Sequence, residues 1–254
     1  DHRDLHSFPT RRSSDLDVIG SLPKALASRK EYDVNVIMPM YSQIDAGIRN
    51  NFTFVGNFNV GLSWRNLYCG LFSFRLDGVN YFFIDNEYYF KRDRLYGEYD
   101  DGERFAFFSK AVLDSLGYMN FYPDVINCND WQTAATVIYL KTLYSNKYGF
   151  SEIKSVFTIH NIEYQGKYGR DTYADLFGFP DWAFGAVEFD GCVNLMKGAI
   201  ELSDKVTTVS PSYAKEIKNP YFANGLENII CRNEGKISGI LNGLDSELYD
   251  PETE

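Results

Sequence analysis

The sequence predicts an α/β fold, a doubly wound parallel sheet with an antiparallel hairpin insertion, on three observations. From Asp17 onward, short runs rich in Val, Ile and Phe alternate with stretches whose apolar residues recur every three to four positions. The links between several of those runs are long enough to hold a helix, which parallel strands need to return the chain to the same end of the sheet. One block instead centres on Asp77-Gly78, a pair that tolerates the positive φ of a tight hairpin turn.

In chain order, Leu22 to Ala27 reads as a helix, and Asp33 to Pro39 (DVNVIMP) as a short strand stopped by proline. Phe52 to Val60, Leu67 to Leu76 and Val79 to Ile84 form the antiparallel excursion. Glu103 to Leu116 places Phe105, Phe108, Val112 and Leu116 on one helical face. Asp124 to Asn127 reads as a short buried strand, Trp131 to Tyr144 as a helix and Lys154 to Ile159 as the next strand. Val193 to Leu202 reads as helix and Lys205 to Val209 as strand, and Ser210-Pro211 pairs an N-cap residue with proline at the first helical position. Lys236 to Leu241 closes the series as a strand before the turn Asn242-Gly243.

Composition narrows the function classes. Lys plus Arg number 25 against 35 Asp plus Glu, a formal charge of −10. That balance argues against nucleic acid or an anionic membrane as partner. No apolar run reaches the length of a membrane span. Cys69, Cys128, Cys192 and Cys231 lie far apart with no C-x-x-C, so neither a zinc knuckle nor a disulfide scaffold is indicated and a reducing cytoplasm is expected. No metal and no cofactor are implied.

Asp1 to Leu16 shows no helix or strand period and no apolar core of a secretory signal. Its SFPTRRSSDL stretch resembles the translation of a sequencing-adapter oligonucleotide. Residues 1–16 are therefore expected to be a non-native, disordered segment, with the native domain over 17–254. The segment holds three Asp and three Arg, so the acidity belongs to the rest of the chain, and His160 is the one histidine beyond it.

In an open parallel sheet, ligands sit beyond the carboxyl ends of the strands. Three such ends are conspicuously polar: Asn127 to Trp131 (NCNDW), His160 to Gly166 (HNIEYQG) and Asn242 to Asp245 (NGLD). Asp130 is a favoured N-cap for the following helix, and equally a carboxylate beside an exposed indole, suited to a sugar hydroxyl and an apolar sugar face. His160 is either a hydrogen-bonded core histidine or a site residue. From the residues alone, the site takes a hydroxylated small molecule.

These motifs are similar to those of bacterial glycogen synthases and plant starch synthases, retaining glycosyltransferases that use a nucleotide-activated glucose. The carrying segments are DVIGSLPKAL (17–26), RFAFFS (104–109), NDW (129–131), VFTIHNIEYQG (156–166), NLMKG (194–198), VTTVSPSY (206–213) and GILNGLD (239–245). The resemblance implies the GT-B arrangement of two Rossmann-like domains facing across a cleft. This chain would be the N-terminal one, without its first strand and without the C-terminal domain that carries most of the donor site.

By resemblance, His160 and Asp130 are the catalytic candidates. Asp17, His160 and Asn242 would bind the ADP-glucose donor, and Asp130, Trp131 and Tyr96 the α-1,4-glucan acceptor. His160 would hydrogen-bond the glucose 6-hydroxyl and bring its backbone carbonyl near the anomeric carbon. The sequence departs from the family in two places. Arg11 to Leu16 stands where a lysine and paired glycines approach the donor phosphates, an approach that side chains with Cβ atoms obstruct. Gln132 stands where many members have His. Without the second domain the chain is expected to be inactive alone. The alternatives are a non-catalytic glucan-binding or regulatory module, or another GT-B sugar-nucleotide transferase.

Overall fold

A computed structural model describes residues 14–243. In order they form α1 (Ser14–Ala27), β1 (Asn35–Pro39), α2 (Ala46–Arg49), β2 (Thr53–Leu62), β3 (Arg65–Leu76), β4 (Val79–Asp85), α3 (Glu87–Phe90), α4 (Asp101–Met119), β5 (Val125–Asn129) and α5 (Asp130–Thr142). There follow β6 (Lys154–Ile159), β7 (Lys167–Gly169), a single π-helical turn (Tyr173–Phe177), α6 (Phe184–Val187), β8 (Glu188–Phe189), β9 (Cys192–Asn194), α7 (Leu195–Leu202), β10 (Lys205–Thr208), α8 (Pro211–Glu216), α9 (Glu227–Arg232) and β11 (Ile237–Gly239). Two compact units result. One takes the described residues up to Asn57, Gly70–Leu95 and those from Leu241; the other takes Phe58–Cys69 and Tyr96–Ile240.

In the first unit the sheet order is β1-β4-β3-β2, with β1 parallel to β4 and β3 antiparallel to it. Asp77 and Gly78 take φ of 50° and 81°, the hairpin geometry that a residue pair of this kind permits. Val79, Tyr81 and Phe83 alternate into one face and pack with Ile44, as the two-residue period of a strand requires. Phe52 stacks on Phe83 at 4.0 Å. Helix α1 runs further upstream than expected: it starts at Ser14 and carries Pro23 inside. Ser14 to Leu16 thus belong to a helix rather than to a segment without structure, while residues 1–13 lie outside the described residues.

The second unit holds a fully parallel sheet, β11-β10-β6-β5. Its register pairs Asn129 with Thr158 and Ile159 with Thr208, so three carboxyl ends come out side by side. Phe157, Ile159 and Val206 are fully buried. Two sequence expectations are corrected here. Among the described residues β5 is an edge strand, with Val125 53% exposed, not a buried one. Residues 193–194, read as the start of a helix, belong to β9, which pairs antiparallel with both β7 and β8. Ser210 caps α8 as expected, its Oγ accepting from the Tyr213 N–H at 3.0 Å.

Candidate active site at the carboxyl ends of the parallel strands

The polar residues that leave β5 and β6 meet each other. Asp130 does not cap α5; Asn129 holds the cap position without a side-chain bond, and Asp130 takes a left-handed φ of 54°. Aspartate tolerates that region better than most residues, and isolated left-handed residues of this kind gather at functional sites. The turn aims its carboxylate across at the next strand end. Asp130 Oδ1 accepts the His160 N–H at 2.9 Å and the Asn161 N–H at 3.4 Å.

His160 is 7% exposed, and its Nε2 lies 3.0 Å from Asn129 Oδ1. One dipeptide, Asn129-Asp130, therefore fixes both the ring and the backbone of the histidine. The loop beyond is tied on its other side. Ile162 N–H donates to the Tyr213 hydroxyl at 3.0 Å. Gln165 Nε2 donates to the Ile162 and Asn224 carbonyls, and its Oε1 accepts from Asn194 Nδ2 at 2.7 Å. Gln165 and Asn194 are 3% and 0% exposed, so this is a buried, satisfied polar network of the kind that holds a single loop conformation. Just beyond Asn194, the buried Lys197 ammonium donates to the Gly185 and Ala186 carbonyls, and burial draws its pKa below the usual lysine value.

Trp131 is half-buried rather than exposed. Its ring meets Phe105 edge-on at 5.3 Å and Tyr168 at 6.2 Å, and it covers Gly166, whose φ is 64°. A Cβ on Gly166 would stand 2.8 Å from Trp131 Cε3. Much of the indole is thus engaged in packing. Tyr96 is 61% exposed ahead of α4 and makes no hydrogen bond or ring contact with Asp130, Trp131 or His160. Asp17 lies in α1 and Asn242 follows β11; both belong to the first unit. Asp245 lies outside the described residues. The structure therefore brings together Asp130, Trp131 and His160, and adds Asn129, Gln165, Asn194 and Tyr213, which lie in the quoted motifs but had no role assigned from the sequence.

The Cys128 thiol, on the strand that delivers Asn129, is pushed up to about 12 by burial, so it is an inert packing group. Among the described residues, no three His, Cys, Asp or Glu side chains converge to hold a metal ion, and no helix is long and apolar enough to cross a membrane.

Residues 14–232 match the family model for the starch synthase catalytic domain. A glycogen synthase of Lactobacillus acidophilus is 49% identical over 94% of this chain and 50% of its own length. One from Clostridium novyi is 44% identical over 98% of this chain and 52% of its own. The catalytic domain of starch synthase IV from Arabidopsis thaliana, solved bound to ADP and acarbose, superposes with a TM-score of 0.85 at 31% identity, covering 94% of this chain and 50% of that one. The chain spans about half the length of the relatives it matches.

Proposed function

The chain belongs to the starch synthase catalytic domain family, and on that premise we propose that it forms the acceptor-side half of a glycogen synthase. The reaction is transfer of glucose from ADP-glucose to the non-reducing end of an α-1,4-glucan, with retention at the anomeric carbon. A cytoplasmic location fits this role.

The observation that carries the proposal is the double hold on His160 by Asn129 and Asp130. A trans peptide sets its N–H and C=O antiparallel. With the Asn161 N–H drawn toward Asp130, the His160 carbonyl points away from that carboxylate. Its fixed partial negative charge can face an oxocarbenium-like sugar, a preorganised dipole that needs no reorientation as charge develops. The imidazole is oriented through Nε2, which Asn129 engages, and we assign the contact with a sugar hydroxyl to Nδ1. Asp130 acts first as a positioning residue, since Oδ1 is engaged with backbone amides; a contact to the acceptor hydroxyl falls to Oδ2.

Trp131 and Tyr96 are assigned to the acceptor track, and Asp17 and Asn242 to the donor side. The departing diphosphate needs concentrated positive charge, and this chain carries a net charge of −10. We assign that charge to the half of the relatives' length that this chain does not span. The test is elongation of maltohexaose from ADP-glucose by the purified chain. No turnover is expected, and robust turnover would overturn this division of labour.

A further inference from the structure

Trp64 stands at the tip of the β2–β3 hairpin with 73% of its surface exposed, although a ring of that size is ordinarily mostly buried. Its position is nevertheless fixed. The indole Nε1–H donates to Asp175 Oδ1 at 2.9 Å, and the Arg65 guanidinium lies over the ring, 4.4 Å from its centroid. Arg65 is itself held by the Asp175 carbonyl at 2.7 Å, Asp175 Oδ2 at 3.5 Å and Glu103 Oε2 at 3.2 Å. Ser63 Oγ–H donates to the Ala174 carbonyl at 2.9 Å.

Ser63 and Arg65 also tie the hairpin to the 173–177 turn, through bonds that do not use the indole. What remains is a large apolar face, pinned along its edge, backed by a cation and open to solvent on its other side. Trp182 gives the contrast: it is 68% exposed, but its indole nitrogen has no hydrogen bond and its ring no partner.

We infer that Trp64 is a stacking platform for an α-glucan, a binding subsite apart from the one at His160. A pyranose offers an apolar C–H face to the ring and hydroxyls at its rim, where the exposed Asp175 carboxylate supplies an acceptor. Between Trp131 and the 173–177 turn stands the Tyr168 ring, 6.2 Å from the indole and 5.6 Å from the Phe177 ring. The choice of glucan as occupant rests on the function proposed above.

The test uses the 254-residue chain. Maltoheptaose should slow oxidation of Trp64 by N-bromosuccinimide, mapped by peptide mass, and leave Trp182 at its unliganded rate. In gels containing glycogen, Trp64→Leu should weaken the retardation roughly fivefold or more, and Trp64→Tyr should keep it within about twofold. Trp182→Leu should migrate as the parent. Oxidation protection requires no variant to fold. Retardation by glycogen with Trp64 unprotected, or with Trp64→Leu migrating as the parent, overturns the platform and leaves the His160 assignment standing. No effect of glycogen or maltoheptaose on the chain overturns the platform and the glucan assignment together.

Discussion

Gly166→Ala tests whether the loop after His160 is held as tightly as the contacts imply. Two costs add at this position. Alanine at φ 64° carries left-handed strain of about 1–2 kcal/mol. Its Cβ also falls 2.8 Å from Trp131 Cε3 and 3.2 Å from Trp131 Cβ. The indole has little room to retreat, because Phe105 and Tyr168 flank it. Overpacking of this kind costs about 1–3 kcal/mol, so the total is about 2–5 kcal/mol. Gly191→Ala isolates the first part: its φ is 77° and nothing lies within 4 Å of the added carbon. Urea denaturation of both variants, with m-values compared, gives the difference directly. Gly166→Ala should be less stable than Gly191→Ala by about 1–3 kcal/mol. Equal losses within about 0.5 kcal/mol would refute the claim that Trp131 is locked over Gly166.

The remaining predictions concern the site and its supports. Asp130→Asn keeps an Oδ1 acceptor and a residue that tolerates positive φ, whereas Asp130→Ala removes the acceptor and destabilises by about 1–3 kcal/mol. Amide exchange at His160 and Asn161 should accelerate only in the alanine variant, and unchanged exchange there would contradict the positioning role. Burial raises the pKa of the Asp204 carboxyl, but hydrogen bonds from Lys141 Nζ, Ser155 N–H and Ser155 Oγ–H outweigh it and hold the group below its ordinary value. Its contribution is then complete above the unfolded carboxylate pKa of about 4 and disappears as pH falls through the folded value. Asp204→Asn should lower the urea midpoint at neutral pH and converge with the parent in acid; a constant gap would contradict this. Exposed Cys231 should react with a disulfide reagent in the native chain, and buried Cys69 and Cys128 only on unfolding. Native-state labelling of Cys128 would refute its burial.

Local chemistry made much of the fold legible. Asp77-Gly78 and Ser210-Pro211 each satisfy a backbone requirement within a few residues, and both hold. The polar strand ends also pointed to the right place, since Asn129 to Trp131 and His160 to Gly166 meet where adjacent parallel strands stop. What the sequence hid depends on partners distant along the chain. Asn129 looks like a turn residue until it faces the His160 ring across two strands. Trp131 looks exposed beside Asp130 until Gly166, Phe105 and Tyr168 close around it. Asp124 to Asn127 has a strand's composition, but no local signal marks β5 as an edge. The helix read over Leu22 to Ala27 begins at Ser14 instead and accommodates Pro23 inside.

Replacing residues 1–16 of this chain with the corresponding N-terminal segment of the Lactobacillus acidophilus glycogen synthase, 49% identical over the shared part, and joining the remaining half of that enzyme gives the most direct test of the assignment. Labelled glucose from ADP-glucose should enter maltohexaose in α-1,4 linkage with the joined protein and not with the chain alone. His160→Ala should lower kcat by about a hundredfold or more without loss of fold, the scale of removing one preorganised group from a charge-stabilising site. A folded joined protein that transfers nothing, or a His160→Ala variant that turns over like its parent, would contradict the assignment.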